Sequence, residues 1–360
     1  MGRTLMIHNR YMPYRRTIFN MLQNKLGVEP TFISGNDQHT AIRGSLVNLC
    51  RLCSLALRVW SEEYSAVIGG SWDSLWELAV AIVVLILCKA KHIPFVIWTE
   101  SWNYSERAQL ARKLADPLIG GMIRHSDAFI VPGTRTMRYL ASRGASRRAI
   151  FRAPNACDPP EESAPKGCEN EFPPVVLFLG RLIEVKGIEH LIEAMAILKD
   201  RGCRAILVIA GEGPLASQLR YAAKSRGLTD VIFVGCVRYE DRYDWIRRAN
   251  VVVLPSVFVG NRCEAWGLVL NEAMLMAKPI VATWAVGAAY DLIEQGHNGF
   301  TVPPGDAACL AQAIERTLGH KAMIRMGKRS QVLAERFSLE KMLMGFKTAL
   351  QYALPHGARL

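Results

Sequence analysis

Twice along this chain, short runs of Val, Ile, Leu and Phe alternate with longer segments whose apolar residues recur at helical spacing. That double alternation limits the fold more than any other feature. Leu5–Ile7, Thr31–Ile33, Ala66–Gly69, Phe95–Trp98 and Ala128–Val131 read as short buried strands, with helices centred near residues 20, 50, 82, 118 and 140. A second series follows: Val175–Leu179, Ile206–Ile209, Ile232–Val234, Val251–Leu254 and Ile280–Ala282. It is interleaved with helices near 188–200, 214–226, 240–248, 267–277 and 306–318. Strand–helix alternation with few hairpin signals predicts parallel sheets covered on both faces. Asp158–Pro174, rich in proline and charge with little to bury, reads as the linker between the two series. The expected architecture is α/β: two doubly wound domains facing a central cleft, with ligands at the C-terminal ends of the strands. The first domain is placed at 1–158, the linker at 159–174, the second domain at 175–335 and a last helix at 336–360.

A chain of 360 residues is long enough for two such cores. Its formal charge of +12 calls for an anionic partner: nucleic acid, an anionic membrane surface or a phosphorylated substrate. The cations are dispersed, although Arg143–Arg152 is locally dense, and no zinc-finger or aromatic RNA-binding signature accompanies them. Nucleic acid is therefore set aside in favour of a membrane surface and an anionic substrate. Nine cysteines are scattered, with Cys50 and Cys53 the one close pair and no histidine beside them, so buried reduced thiols are expected. Leu78–Cys88 is strongly apolar but, at about 11 residues, too short to span a bilayer. Thr4–Ile7 reads as a first strand rather than as part of a signal peptide. The expectation is a cytoplasmic protein that works at the inner face of the cytoplasmic membrane.

The densest chemistry lies in Cys263-Glu264-Ala265-Trp266-Gly267-Leu268-Val269-Leu270-Asn271-Glu272. As one continuous helix, Glu264 and Glu272 would stand about 80° apart around the axis and share no face. A loop, then Gly267, then a helix is the better reading, with Glu264 outside the helix and Glu272 about one turn inside. Eight residues of rise is at most about 12 Å, the span of a sugar–diphosphate–ribose. A helix N-terminus between the two acids offers amides and a positive dipole end to a diphosphate. Two acids near a helix start also serve to complement the dipole, and that structural reading stays open. Upstream, Leu179-Gly180-Arg181-Leu182 followed by Lys186-Gly187 puts two cations at the end of a strand. Arginine supplies a planar fork for phosphate oxygens and lysine a compact charge. Gly211-Glu212-Gly213-Pro214 is a tight turn into a helix, but its spacing matches neither a Walker nor a dinucleotide fingerprint.

In this order, Gly180-Arg181, Lys186-Gly187, Gly211–Pro214, Val234-Gly235, Glu264-x7-Glu272-Ala273-Met274, Lys278–Thr283, Gly299–Val302 and Pro304-Gly305-Asp306 resemble the retaining glycosyltransferases of family 4. The resemblance covers most of residues 175–340. It implies a GT-B architecture of two Rossmann-like domains, with a last helix from Phe337-Ser338 that crosses back to the first domain. It further implies transfer of a sugar from a nucleoside diphosphate to an acceptor glycan or glycolipid with retention of configuration. Bacterial surface polysaccharide or lipid-linked oligosaccharide synthesis is the pathway it suggests.

By the same resemblance Glu264 contacts hydroxyls of the donor sugar and Glu272 the nucleotide ribose. Arg181 and Lys186 hold the diphosphate together with Gly180 and the amides around Gly267, Leu268 and Val269. No cofactor and no metal are expected. Fixed cations and amides aimed at a departing diphosphate lower the barrier to glycosyl transfer by themselves.

Departures from the family's pattern fall in both domains. The turn after the first strand, Ile7–Arg16, lacks the glycines many members carry. Where many carry a histidine near the donor sugar, this chain has Thr99-Glu100-Ser101-Trp102, so Glu100 or Ser101 is the candidate substitute. In the second domain, Ala277 stands where a glycine is usual. Tyr14 and Arg15, just after the first strand, are candidates for meeting an anionic, lipid-linked acceptor, or else belong to a capped helix start with solvated arginines. His8 is expected to be structural. Trp72, Trp76, Trp98 and Trp102 are expected in the core rather than stacked on a sugar. A nucleotide-sugar epimerase, or an inactive nucleotide-sugar-binding module, remains the alternative.

Overall fold

The computed structural model describes residues 2–9, 11–33, 41–70, 72, 74–102, 109–160, 173–260 and 262–354. The chain divides into two units, Met1–Pro154 with Leu339–Leu360, and Asn155–Ser338. Most of the expected linker, 161–172, lies outside the described residues.

In the first unit β1 (Thr4–His8), α1 (Arg16–Leu26), β2 (Val28–Phe32), α2 (Ala41–Ser61), β3 (Ala66–Gly69) and α3 (Leu75–Ala90) follow in turn. They are continued by β4 (Phe95–Trp98), α4 (Gln109–His125), β5 (Ala128–Val131), α5 (Thr134–Ser142) and β6 (Ile150–Arg152). The sheet is parallel with order β2-β1-β3-β4-β5-β6. Central strands β3, β4 and β5 are buried along their whole length, which is why they read as unbroken apolar runs. The second strand begins at Val28, three residues before the expected start. Pro30 obscured it; a proline is tolerated here because β2 is an edge strand. The chain steps from β1 outward to β2 and then back across to β3 and onward. Right-handed crossovers therefore place α1 on one face and α2, α3 and α4 on the other.

The second unit runs β7 (Val175–Leu179), α6 (Ile188–Asp200), β8 (Ile206–Ala210), α7 (Ala216–Ser225), β9 (Val231–Gly235) and α8 (Arg242–Arg248). After them come β10 (Val251–Leu254), α9 (Leu268–Leu275), β11 (Ile280–Thr283), α10 (Ala289–Leu292), β12 (Gly299–Val302), α11 (Ala307–Leu318) and α12 (His320–Ala334). Sheet order is β12-β11-β10-β7-β8-β9, the doubly wound arrangement with its switch point between β7 and β10. Asp306 caps α11 by accepting the Cys309 amide at 2.8 Å, which holds its carboxyl below the usual 3.8.

A final helix, α13 (Leu339–Ala353), belongs to the first unit and lies on the α1 side of its sheet. Phe346 of α13 is fully buried, with its ring 5.0 Å from that of Trp98. Trp72, Trp98 and Trp102 are buried as expected, and Trp76 is half-buried. The cysteine reading needs correction: Cys50 and Cys53 are exposed because the pair sits on an outward face of α2, and Cys236 in the second unit is exposed as well.

Ala277 explains itself by its backbone. It closes α9 with φ 53°, the left-handed conformation that glycine adopts without cost. Ala277→Gly is expected to raise stability by about 1 kcal/mol, the relief of that conformation less the extra freedom of the unfolded chain. Urea titration of both proteins measures it; a loss of stability would mean that the Ala277 methyl contributes more than the strain removes.

Candidate donor site at the switch point of the second sheet

The ends of β7 and β10 flank the switch point, and the loops that leave them carry most of the predicted residues. From β7 the chain passes Gly180 and Arg181 into a tight 3₁₀ turn, Glu184–Lys186, and enters α6 through Gly187. Gly187 has φ 61°, and a Cβ there would fall 2.2 Å from the carbonyl oxygen of Pro255 at the end of β10. The Val257 amide also donates to the Val185 carbonyl at 2.8 Å. The two loops are thus laced together by backbone. No side chain fits at Gly187 without parting them.

Across this seam Lys186 Nζ donates to Glu264 Oε2 at 2.5 Å, with the two side chains 14% and 17% exposed. Glu264 lies outside the helix. Its amide donates to Ala285 O at 3.2 Å and its carbonyl accepts from the Gly287 amide at 3.0 Å, which fixes the loop after β11 against it. Gly267 then turns the chain with φ 98° into α9, where a Cβ would meet Leu254 Cδ2 at 2.7 Å and lie 3.6 Å from Glu264 Cγ. The helix opens at Leu268 and Val269, beside Glu264. Gly180 lies on the other side, where a Cβ would stand 3.8 Å from Lys186 Cε. Arg181 is exposed and has no side-chain partner among the described residues.

Glu272 is one turn inside α9 and buried. It faces α8 rather than Lys186: Arg242 Nε donates to its Oε1 at 2.7 Å, both side chains being less than 10% exposed. Burial raises the Glu272 carboxyl above its usual value, and Arg242 opposes that shift. The guanidinium is held in a sandwich, 3.6 Å from the centroid of Tyr239 and 4.2 Å from that of Tyr243, and also donates to the Tyr239 carbonyl. Arg242 was not among the sequence candidates. In Glu240-Asp241-Arg242-Tyr243-Asp244 it looks like one charge of a solvated helix face, and only the contact reveals it. The segment before the linker is anchored to the same helix: Asn271 donates to Asn155 O at 2.9 Å, and Trp266 Nε1 to Asn271 Oδ1 at 2.9 Å.

The first-unit candidates form a separate cluster at the ends of β1 and β4. Arg15 is paired with Glu100 and lies 4.7 Å above the Trp98 ring and 5.7 Å from that of Tyr14. Its Nη1 is 3.4 Å from His8 Nε2, and His8 packs edge-on to Phe19. Arg15 is therefore neither solvated nor an open cation. Desolvation is offset by Glu100 and Tyr14, so the guanidinium stays charged. Ser101 is buried, with its amide donating to Thr99 Oγ1 at 3.1 Å.

With this geometry in place, comparison with known proteins gives three consistent results. Residues 173–320 match the family model described as Glycosyl transferases group 1. The alpha-D-kanosaminyltransferase of Streptomyces kanamyceticus is 40% identical over 146 residues, 40% of this chain and 36% of that protein. The aligned stretches span between 22% and 51% of the length of the first three curated relatives matched. Among solved structures, the lipopolysaccharide outer core galactosyltransferase WaaB superposes with a TM-score of 0.78 at 17% identity, over 98% of this chain and 100% of that one. Anabaena HepE in complex with UDP and glucose gives 0.71 at 19% identity, over 98% and 100%. At such identities the likeness is one of fold. Residues 173–320 thus match the model of group 1 glycosyl transferases, in a chain whose two Rossmann-like units have the GT-B type of fold.

Proposed function

We propose that the chain transfers a hexosyl group from a nucleoside-diphosphate sugar to a glycan or lipid-linked acceptor, with retention of configuration and without a divalent metal. The observation that carries this reading is the Lys186–Glu264 pair at the switch point, set beside the start of α9. Lys186 has three N–H donors, of which Glu264 takes one, so others remain for phosphate oxygens. Arg181 adds a fork, and the Leu268 and Val269 amides add the positive end of a helix. Together they supply the counter-charge that a departing diphosphate needs. Glu264 accepts from a hydroxyl of the sugar. Glu272, with Oε1 held by Arg242, presents its other oxygen to the ribose diol.

In the transfer the bond from the anomeric carbon to the diphosphate breaks with its electron pair going to the diphosphate. The acceptor oxygen then bonds that carbon, and its proton passes to the departing phosphate. HepE, similar in fold, was solved with UDP and glucose. That likeness makes UDP-sugars the first donors to try. Among the described residues no helix is long and apolar enough to cross a membrane, and the reading places the enzyme peripherally on an anionic one, at the inner face of the cytoplasmic membrane.

Thermal melting across UDP-, GDP-, ADP- and TDP-sugars, with NAD as control, tests the donor half. One base class is expected to stabilise the wild type by RT ln(1 + [L]/Kd), about 2.7 kcal/mol at a hundredfold excess over Kd. Arg181→Ala removes an exposed side chain without disturbing the fold, and is expected to weaken that stabilisation by about tenfold in Kd. No shift with any nucleotide sugar would overturn the reading. Equal shifts in both proteins would remove Arg181 from the site.

A further inference from the structure

The four central strands of the second sheet, β7, β8, β10 and β11, contain one polar side chain, that of Thr283 at the end of β11. It is 2% exposed. Valine has nearly the same shape and brings no polar group to satisfy, so a hydroxyl buried here needs a use. It has two. Thr283 Oγ1 donates to the carbonyl of Ser256, which follows β10, and accepts the Ala285 amide at 3.3 Å. Its one O–H is thus spent on one loop and a lone pair on another. The hydroxyl of Ser256 is equally buried but has no partner among the described residues. Of these two hydroxyls at neighbouring strand ends, Thr283's is the one that joins loop to loop.

Both of its bonds lead to the candidate donor site. Ala285, held through its amide, offers its carbonyl to the Glu264 amide, and Gly287 donates to the Glu264 carbonyl. The turn from Thr283 to Gly287 therefore grips Glu264 on both sides of its own backbone. That turn is fixed in its own right: the Val286 amide donates to Thr283 O at 3.2 Å, and the Trp284 amide to Val302 O of β12 at 3.1 Å. On the β10 side, Ser256 precedes Val257, whose amide donates to the carbonyl of Val185, next to Lys186. One buried hydroxyl so stands between the backbone that carries Glu264 and the backbone that leads to Lys186. The Lys186 side is also laced by the close approach of Gly187 to Pro255, and keeps that lacing without Thr283.

We infer that Thr283 is a positioning residue for Glu264: its hydroxyl sets where that carboxylate stands toward the donor sugar, while itself remaining beneath the site. The inference rests on the donor reading proposed above and names a group on which its sugar half depends. A misplacement of about 1 Å at a reacting centre is enough to lower a rate about a hundredfold. The nucleotide half is held by other means, since Glu272 is engaged by Arg242 and Lys186 by the β7–β10 seam. Removing the hydroxyl should therefore separate sugar transfer from nucleotide binding.

Thr283→Val and Thr283→Ser, each alone and combined with Glu264→Ala, test it. Thr283→Val is expected to lower kcat by about tenfold to a hundredfold on the donor that melting identifies. Thr283→Ser keeps the hydroxyl and is expected to stay within about threefold of the wild type. Melting shifts with UDP, GDP, ADP and TDP, which carry no sugar, are expected to match the wild-type shifts in every variant, each measured from its own melting temperature. In the Glu264→Ala background, Thr283→Val is expected to lower turnover by less than about threefold more, because the group it positions is gone. Should Thr283→Val not fold, Thr283→Ala takes its place, since the smaller side chain leaves room for a water on the two freed backbone groups. A Thr283→Val enzyme as active as Thr283→Ser would overturn the inference. So would losses that multiply in full in the double variant, or nucleoside diphosphate shifts that disappear together with turnover. Absence of any nucleotide shift in the wild type would overturn the donor reading and this inference with it.

Discussion

Arg242→Met is expected to destabilise the second unit by about 3–5 kcal/mol at pH 8, because it leaves the Glu272 carboxylate buried without its cation. Methionine roughly fills the space between Tyr239 and Tyr243, so a cavity contributes little to the loss. The pH dependence separates charge from packing. Burial already holds the Glu272 carboxyl above 4.5, and removing Arg242 removes the charge that opposes that shift. A carboxyl raised in the folded state favours folding most below its unfolded pKa, and that contribution is lost as pH rises through the folded value. The gap between variant and wild type should therefore widen from pH 5 to pH 8. Adding Glu272→Leu should recover most of the loss, since an apolar pair in place of a buried ion pair is close to neutral. Denaturant titrations of the four proteins of this cycle, at both pH values, supply the measurement. A constant gap of under about 1 kcal/mol would show that the pair carries no buried charge.

Lys186→Ala is expected to lower kcat by about 10²–10³, the effect of removing one preorganised donor from a developing anion. The side chain is 14% exposed and engages Glu264, so the substitution also frees a partly buried carboxylate. Glu264→Gln separates these effects: the amide keeps the shape and still accepts from a hydroxyl, but does not attract Lys186 as a charge. If the two act as one unit, the double variant loses little more than the worse single one. Turnover of the donor identified by melting, followed as nucleoside diphosphate release with acceptor present, is the readout. A Lys186→Ala enzyme within about threefold of wild type would place the diphosphate elsewhere.

Much of this fold was legible because its strands are buried on both faces, and uninterrupted Val, Ile and Phe runs announce that condition. Legibility failed where burial did not set the composition. Ile150–Arg152 is a three-residue strand at the edge of the first sheet, concealed in an arginine-rich stretch. Gly299–Val302 is an edge strand of the second, and its glycine reads as a turn. Helix α12, His320–Ala334, was not foreseen because polar and basic residues interrupt its apolar ones throughout. The local geometry around Gly267 was readable, since two acids and a glycine at that spacing leave few backbone solutions. Arg242 was not, because nothing local distinguishes a buried arginine from a solvated one.

The return of α13 to the first unit has a consequence for how the protein is made. Trp98 needs Phe346 against it, and Phe346 follows the whole of Asn155–Ser338 in the chain. The second unit is continuous in sequence and can fold as it leaves the ribosome, whereas the first must wait, partly uncovered, with its apolar surface open to chaperones. A polypeptide ended at Ser338 would keep the candidate donor site and lose the companion unit. Truncation thus acts on the half of the molecule farthest away in sequence.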